Sequence, residues 1–152
     1  MKLAEALLLR ADLQKKFERI KERLVQNAKV QEGDKPSEDP KELLSELDAV
    51  LDQLTSVIRN INRTNTSARI DLTSTIADYL TRRDTVKAKH GAFIALANAA
   101  AVKLDRYSKS EVKYRATIDV AEIQKQADQL AKEQREIDTK IQEANWLNDL
   151  VE

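Results

Sequence analysis

The sequence contains no cysteine, which excludes disulfide bonds, zinc–thiolate sites and thiol nucleophiles and is compatible with a reducing cytoplasm. Only two glycines and two prolines occur in 152 residues, too few for a glycine-rich phosphate loop. Lysine plus arginine number 26, as do aspartate plus glutamate, so no net charge attracts nucleic acid or an anionic membrane. No apolar run reaches the roughly 20 residues of a membrane-spanning helix, and residues 1–9 lack the features of a secretory signal. These absences predict a cytoplasmic protein that does not enter membranes.

The abundant residues are Ala, Leu, Glu, Lys, Gln and Arg, which lose little side-chain freedom in a helix. We therefore expect an all-α fold, an elongated antiparallel bundle of four long helices with heptad-type seams, in one domain over residues 1–152. The helices are predicted at about residues 2–30, 40–64, 73–105 and 119–147. The third would be about 48 Å long, against a diameter of about 38 Å for a compact sphere of this chain.

The first predicted helix has a heptad seam with two polar members, Arg10 and Asn27. The apolar members are Leu3, Ala6, Leu13, Phe17, Ile20 and Leu24. Arg10 either fixes the register and partner number of the seam or lays its stem along the seam with its charge in water. A loop follows, and Asp39 before Pro40 is typical of a helix N-cap. Thr73 or Ser74 can cap the third helix, and Asp119 has the capping-box spacing to Glu122 at the start of the fourth.

The second predicted helix has the strongest apolar stripe of the chain, and its width suggests contact with more than one partner helix. The stripe consists of Leu43, Leu44, Leu47, Val50, Leu51, Leu54, Val57, Ile58 and Ile61. Residues 32–52 hold eight acidic residues against Lys35 and Lys41. This charge run indicates a solvated acidic loop, whose charges in the first helical turn suit the helix dipole.

Residues 91–102, named the waist below, contain one polar side chain, Asn98, in a protein that is 34% charged. A helix that is apolar all round has to be covered on every side, and alanines allow neighbouring helices to approach closely. The waist lies in a helix too long for a compact monomer. We therefore expect it to be buried between subunits of a homo-oligomer.

Three residues near the waist join Arg10 as candidates for an assembly contact or a polar layer. Arg83 could form a polar layer with acids of another helix or another chain, and Gly91 within a helix indicates close backbone approach. His90 is either a packed histidine or, at an interface, a group whose protonation changes assembly. It has no second metal ligand at helical spacing, so we expect no metal site, no cofactor and no enzymatic activity.

Between the third and fourth helices the helical period disappears. Residues 112–118 alternate between polar and apolar and could pair as a short β element with residues 68–72, or with a symmetry mate. The same region has four basic residues interleaved with tyrosines, a pattern that can bind phosphates and stack bases, although the tyrosines are as easily packing residues. The basic residues are Arg106, Lys109, Lys113 and Arg115.

Residues 1–16, 27–34, 61–65, 106–111 and 141–146 together resemble a family of small bacterial proteins labelled septicolysin. The resemblance covers nearly the whole chain, except that residues 69–71 stand where that family would have a glycine-containing turn. The label implies a cytolysin, that is, a pore former. From the residues, the leading hypothesis is a homo-oligomeric scaffold or interaction protein, with a membrane-active protein and a nucleic-acid or phosphate binder as alternatives.

Overall fold

The computed structural model describes residues 1–101 and 112–152, and these residues form four α-helices. Helix α1 spans Leu3–Gln26, α2 spans Pro40–Ser67, α3 spans Ile76–Ala100 and α4 spans Val120–Leu147. The predicted all-α fold is confirmed. The predicted end of the third helix, residues 102–105, lies outside the described residues. Over the two described ranges, no helix combines the length and the apolar character needed to cross a membrane.

Two of the helix starts are capped by the aspartates that the sequence indicates. The Asp39 carboxylate accepts a hydrogen bond from the Lys41 backbone N–H at 2.9 Å, and Pro40 occupies the first helical position. The Asp119 carboxylate likewise accepts from the Glu122 backbone N–H at 3.1 Å. Both carboxylates satisfy N–H groups that have no partner inside the helix, and their charge suits the positive end of the helix dipole.

Helix α1 ends at Gln26, before the predicted end near residue 30, because Asn27 turns the chain. The Asn27 side-chain N–H donates to the Arg23 carbonyl at 2.8 Å, and its oxygen accepts from the Glu38 backbone N–H at 3.1 Å. The assignment of Asn27 to the helical seam was therefore wrong. It is the C-terminal cap, and it joins the end of α1 to the residue that precedes the cap of α2.

Helix α3 begins at Ile76 and not at residue 73 as predicted. The Asp71 carboxylate accepts from the backbone N–H groups of both Thr73 and Ser74, each at 2.8 Å. An aspartate that binds the backbone two and three residues ahead closes a turn, and this turn competes with the start of a helix. Thr73 and Ser74 are therefore turn residues and do not cap α3.

The predicted β element between residues 68–72 and 112–118 was wrong. Arg69 forms an isolated antiparallel bridge with Thr75, across the turn just described. Within the described ranges, residues 112–118 contain no strand and no bridge. A bridge between residues so near in sequence needs only a small loop, so its closure costs less entropy than pairing with a distant segment.

The contacts divide the chain into two compact units. Unit 1 comprises Met1–Ile76 with Gln142–Glu152 and contains the antiparallel hairpin of α1 and α2. Its core is a cluster of Leu13, Ile20 and Val50. The side chains packed against this cluster are Phe17, Leu24, Leu47, Leu54 and Val57. Apolar members of the heptad seam thus contact apolar members of the α2 stripe. That one domain spans residues 1–152 stays a prediction.

The two ends of the chain meet in unit 1. Lys2 and Asp149 form an antiparallel bridge, and the Lys2 ammonium lies 2.9 Å from the Asp149 carboxylate. A hydrogen bond from this ammonium lowers the pKa of Asp149. Nearby, the Thr64 hydroxyl is fully buried, donates to the Asn60 carbonyl at 2.8 Å and accepts from the Val151 backbone N–H at 2.9 Å. The C-terminal segment is therefore tied to both α1 and α2.

Unit 2 comprises Ala77–Ile141, in which α3 and α4 run antiparallel. Arg82 on α3 pairs with Glu133 on α4 at 2.8 Å, and the Lys140 ammonium lies 5.7 Å from the centroid of the Tyr79 ring. Its buried apolar residues are Tyr79, Val86, Ala97, Ala127, Ile137 and Ile141. Within each helix these buried residues lie along one side, as their heptad spacing predicts.

Candidate functional site

The described part of the waist, residues 91–101, is largely exposed. Ala97 is buried, whereas Ile94 is 39% exposed and Leu96 is 41% exposed. Gly91, Ala92, Ala95 and Ala99 are also exposed and lie together on the side of α3 away from its buried positions. The expectation that the waist is covered on every side is not met by the chain itself. The exposed part forms a smooth apolar face, named the waist face below.

The space beside Gly91 is open with respect to the described residues, because a Cβ atom added there would meet none of their atoms within 4 Å. The close backbone approach expected at Gly91 is therefore not made by the part of the chain that the structure describes. His90 is half-buried on the neighbouring side of α3. Arg83 lies about two helical turns before Gly91. Its Nε is 4.0 Å from the Asp138 carboxylate of α4, and its guanidinium is 3.2 Å from the Asp84 carboxylate. Arg83 thus has acidic neighbours inside unit 2.

Arg10 lies in unit 1, apart in sequence from the other three assembly candidates. Its side chain is half-buried, and its Nε is buried without a hydrogen-bond partner in the described part of the chain. This placement agrees with a stem that lies along the seam. Arg10 thus belongs to unit 1, whereas Arg83, His90 and Gly91 belong to unit 2.

The predicted anion patch falls partly outside the described residues. Arg106 and Lys109 belong to the segment that the structure leaves undescribed, whereas Lys113 and Arg115 are exposed, as is Tyr114. The anion patch therefore stays a prediction. Among residues 1–101 and 112–152, no group of three or more His, Cys, Asp or Glu side chains could hold a metal ion.

A second exposed apolar face lies on α2 and is named the α2 flank. Its apolar residues recur every seven positions: Leu44, which is 50% exposed, Leu51, which is 37% exposed, and the half-buried Ile58. Thr55, between Leu51 and Ile58, and Asn62, one turn after Ile58, lie on the same side of the helix. The flank borders the stripe that packs against α1, so α1 covers only part of the apolar width of α2.

The charges beside the α2 flank are separated by sign. Asp48 and Asp52 are exposed at its N-terminal half, and Arg59 and Arg63 are exposed at its C-terminal half. Across the described ranges, none of these four side chains forms a salt bridge. Like charges four residues apart destabilise a helix by about 0.2–0.5 kcal/mol per pair, and α2 has two such pairs in succession. The arrangement costs stability within the chain.

The α2 flank was only partly visible in the sequence analysis. The width of the α2 stripe pointed to a further partner helix, but the acidic residues up to Asp52 were assigned to a solvated loop. The seven-residue recurrence of Leu44, Leu51 and Ile58, with two aspartates and then two arginines four residues apart beside it, is the sequence signal that would have found it. Arg59 and Arg63 also line an open surface depression with Thr55, Ile58, Asn62 and Thr66.

A polar link between α1 and α2 lies on the other side of the hairpin. The Arg23 guanidinium donates to both oxygens of Glu38, with Nε 2.9 Å from Oε2, and lies 3.6 Å from Glu46. The hydrogen bond from Arg23 lowers the pKa of Glu38, and the same bond raises the pKa of Arg23. Lys16 lies 3.7 Å from Glu46. These charges hold the hairpin together, in contrast to the unpaired charges of the α2 flank.

Comparison with known proteins supports the fold and identifies a family. A crystal structure of a functionally unknown conserved protein from Corynebacterium diphtheriae matches with a TM-score of 0.93 and 42% sequence identity, covering 99% of each chain. No curated protein matches the sequence. Residues 10–150 match the family of unknown function DUF6847. The chain therefore belongs to the DUF6847 family.

Proposed function

We propose that this protein is a homo-oligomeric helical scaffold or interaction protein of the cytoplasm, without catalytic activity, and that the waist face is its main self-association surface. The observation that carries the proposal is the exposure of the waist face. Eleven described residues in succession, from 91 to 101, carry no charge, and most of them contact water. Soluble monomers rarely expose a continuous apolar patch of this kind unless it is an interaction site.

The composition of the waist face favours another copy of the same helix as its partner. Gly91, Ala92, Ala95 and Ala99 let a second helix backbone come close, and Ile94 and Leu96 flank this row. Close packing of small residues, with larger apolar side chains at the edges, buries area on both helices without leaving voids. The open space beside Gly91 is available for that approach.

The test compares Leu96→Glu with Leu72→Glu by sedimentation velocity over a range of protein concentrations. Leu72 is 93% exposed in the turn before α3, so it provides the same chemical change away from the waist face. Leu96→Glu would bury an unpaired carboxylate at the interface and should weaken self-association by at least about tenfold, a change of 1.4 kcal/mol. Glutamate is a good helix former, so α3 should keep its helicity. Equal association of both variants would refute the proposal.

The exposed apolar faces also bear on the membrane-active function that the resemblance to septicolysin-labelled proteins implies. An amphipathic or apolar helix face can insert into a lipid surface after rearrangement. Dye release from liposomes at micromolar protein distinguishes this function from self-association. We expect intact liposomes, because the proposed packing covers the waist face with a second copy. Release that Leu96→Glu abolishes, with no change in oligomeric state, would favour the membrane-active function instead.

A further inference from the structure

The α2 flank has the pattern of a surface that recognises a reversed copy of itself. Along α2, the acidic pair Asp48 and Asp52 precedes the basic pair Arg59 and Arg63, with Thr55 midway between the two pairs. Asp52 and Arg59 are seven residues apart, about 10.5 Å along the helix axis, and are therefore too far apart to pair within one helix. Each charge group is available to a partner that carries the opposite order of charges.

A second α2 helix in antiparallel orientation presents that order. When two α2 helices lie side by side about a two-fold axis near Thr55, Asp52 of each copy faces Arg59 of the second copy. Asp48 then faces Arg63 of the second copy, and Leu51 faces Ile58. The apolar residues meet at the centre while four opposite-charge contacts form around them. A parallel arrangement would instead place aspartate opposite aspartate and arginine opposite arginine, which is repulsive.

We propose that the α2 flank is an isologous, antiparallel self-association interface, whose register is fixed by the exchange of charges between the two copies. An isologous contact uses the same surface on both copies and closes on itself as a dimer. In the dimer, each of the two like-charge pairs, which destabilise the isolated helix, faces a pair of the opposite charge on the second copy. This interface uses α2 of unit 1, whereas the waist face belongs to α3 of unit 2, so the inference adds a second contact to the proposed function.

Two oppositely designed charge-reversal variants test the pairing. The first, Asp48→Lys with Asp52→Lys, makes the α2 flank wholly basic, and the second, Arg59→Glu with Arg63→Glu, makes it wholly acidic. Each variant alone should weaken association at the α2 flank by at least about tenfold, because four attractive contacts become repulsive. An equimolar mixture should restore association, since the basic flank of one variant then faces the acidic flank of the other. Restoration also shows that both variants are folded.

Each variant and the mixture are measured by sedimentation velocity. All of these proteins also carry Leu96→Glu, which disrupts association through the waist face. Lys15→Glu with Arg19→Glu is the matched control, because both residues are exposed on α1, are four residues apart and change the net charge by the same amount as the acidic variant. The control should associate like its parent. Added salt should weaken the pairing of parent and mixture alike, because the charges lie at the surface.

The outcomes separate this inference from the proposed function. Three results would each overturn the α2 pairing. The Leu96→Glu parent is monomeric, the mixture remains monomeric, or the reversal variants associate as strongly as the parent. None of these results depends on whether the waist face associates in the wild type. Conversely, a wild type unaffected by Leu96→Glu but dissociated by the reversals overturns the waist proposal and upholds the α2 pairing. We expect the equimolar mixture of the two charge-reversal variants to associate.

Discussion

Ile20 offers the sharpest test of how the hairpin in unit 1 is stabilised. Its side chain is 1% exposed and packs with Leu13 and Val50 at the centre of the contact between α1 and α2. Ile20→Ala removes three methyl or methylene groups, worth about 0.8 kcal/mol each in transfer free energy. A cavity term adds to this, so we expect a total loss of about 3–4 kcal/mol in the free energy of unfolding. Ile20→Val, which removes one group, should cost about 1 kcal/mol.

The assay is urea unfolding, followed by the fluorescence of Trp146 and by circular dichroism at one low protein concentration. Trp146 is the single tryptophan of the chain and belongs to unit 1, so its fluorescence reports on that unit. Leu8→Ala is the control, because Leu8 is 62% exposed and its truncation should cost less than about 0.5 kcal/mol. A cost for Ile20→Ala that does not exceed that for Leu8→Ala would refute the assignment of Ile20 to the core.

Three further predictions follow from the described contacts. Thr64→Val should lower the stability of unit 1 by about 1 kcal/mol in urea unfolding, because the Thr64 hydroxyl accepts a backbone hydrogen bond from the C-terminal segment; Thr66→Val, at an exposed threonine of the same helix, should be nearly neutral. The folded state lowers the pKa of Glu38 through Arg23, so this interaction stabilises the fold above the ordinary carboxyl pKa of 4.5 and is lost as the pH falls through the lowered value. The thermal stability of Glu38→Gln should therefore lie below that of the wild type at pH 7 and converge with it in strong acid, and a gap independent of pH would contradict the pairing. Gly91→Ala should raise the free energy of unfolding of the monomer by up to about 1 kcal/mol, since the added Cβ meets no described atom and alanine favours the helix over glycine. The same change should weaken self-association in sedimentation velocity if the waist face packs closely. An unchanged melting temperature would contradict the expected gain in helix stability.

Local sequence signals were sufficient for the features that depend on near neighbours. The seam through Leu13 and Ile20 predicted the buried side of α1, because a heptad repeat keeps one face of a helix against its partner. Asp39 and Asp119 predicted two helix starts, since a cap acts on N–H groups only two or three residues away. Such features need no knowledge of the tertiary fold.

The errors occurred where a side chain has several possible backbone partners. Asn27 fitted the heptad spacing, but its amide forms bonds to both α1 and the loop, and these end the helix. Asp71 closes a turn just where Thr73 was expected to cap α3. Sequence spacing does not distinguish these bonds from helical ones, because asparagine, aspartate and threonine make both.

The candidate surfaces were harder to predict than the fold. An apolar run such as residues 91–102 indicates that burial is needed but does not say whether the chain or a second molecule provides it. The structure leaves Ile94 and Leu96 partly exposed, so the chain itself does not cover them. The charge pattern of α2 has meaning only once Asp48 and Arg63 are known to lie on an uncovered side of the helix. Burial by neighbouring helices decides this, and periodicity alone does not.

The assembly of unit 1 from two separated segments affects its synthesis on the ribosome. Residues 1–76 are made first, but the backbone N–H that binds the Thr64 hydroxyl belongs to Val151, about 75 residues later in the chain. At about 5–20 residues per second, roughly 4–15 s pass between the synthesis of the α1–α2 hairpin and the synthesis of the segment that completes unit 1. During that interval the groups of Met1, Leu3 and Thr64 that later bond to the C-terminal segment are open to chaperones and to other nascent chains. A translational pause within residues 77–141 would prolong this exposure.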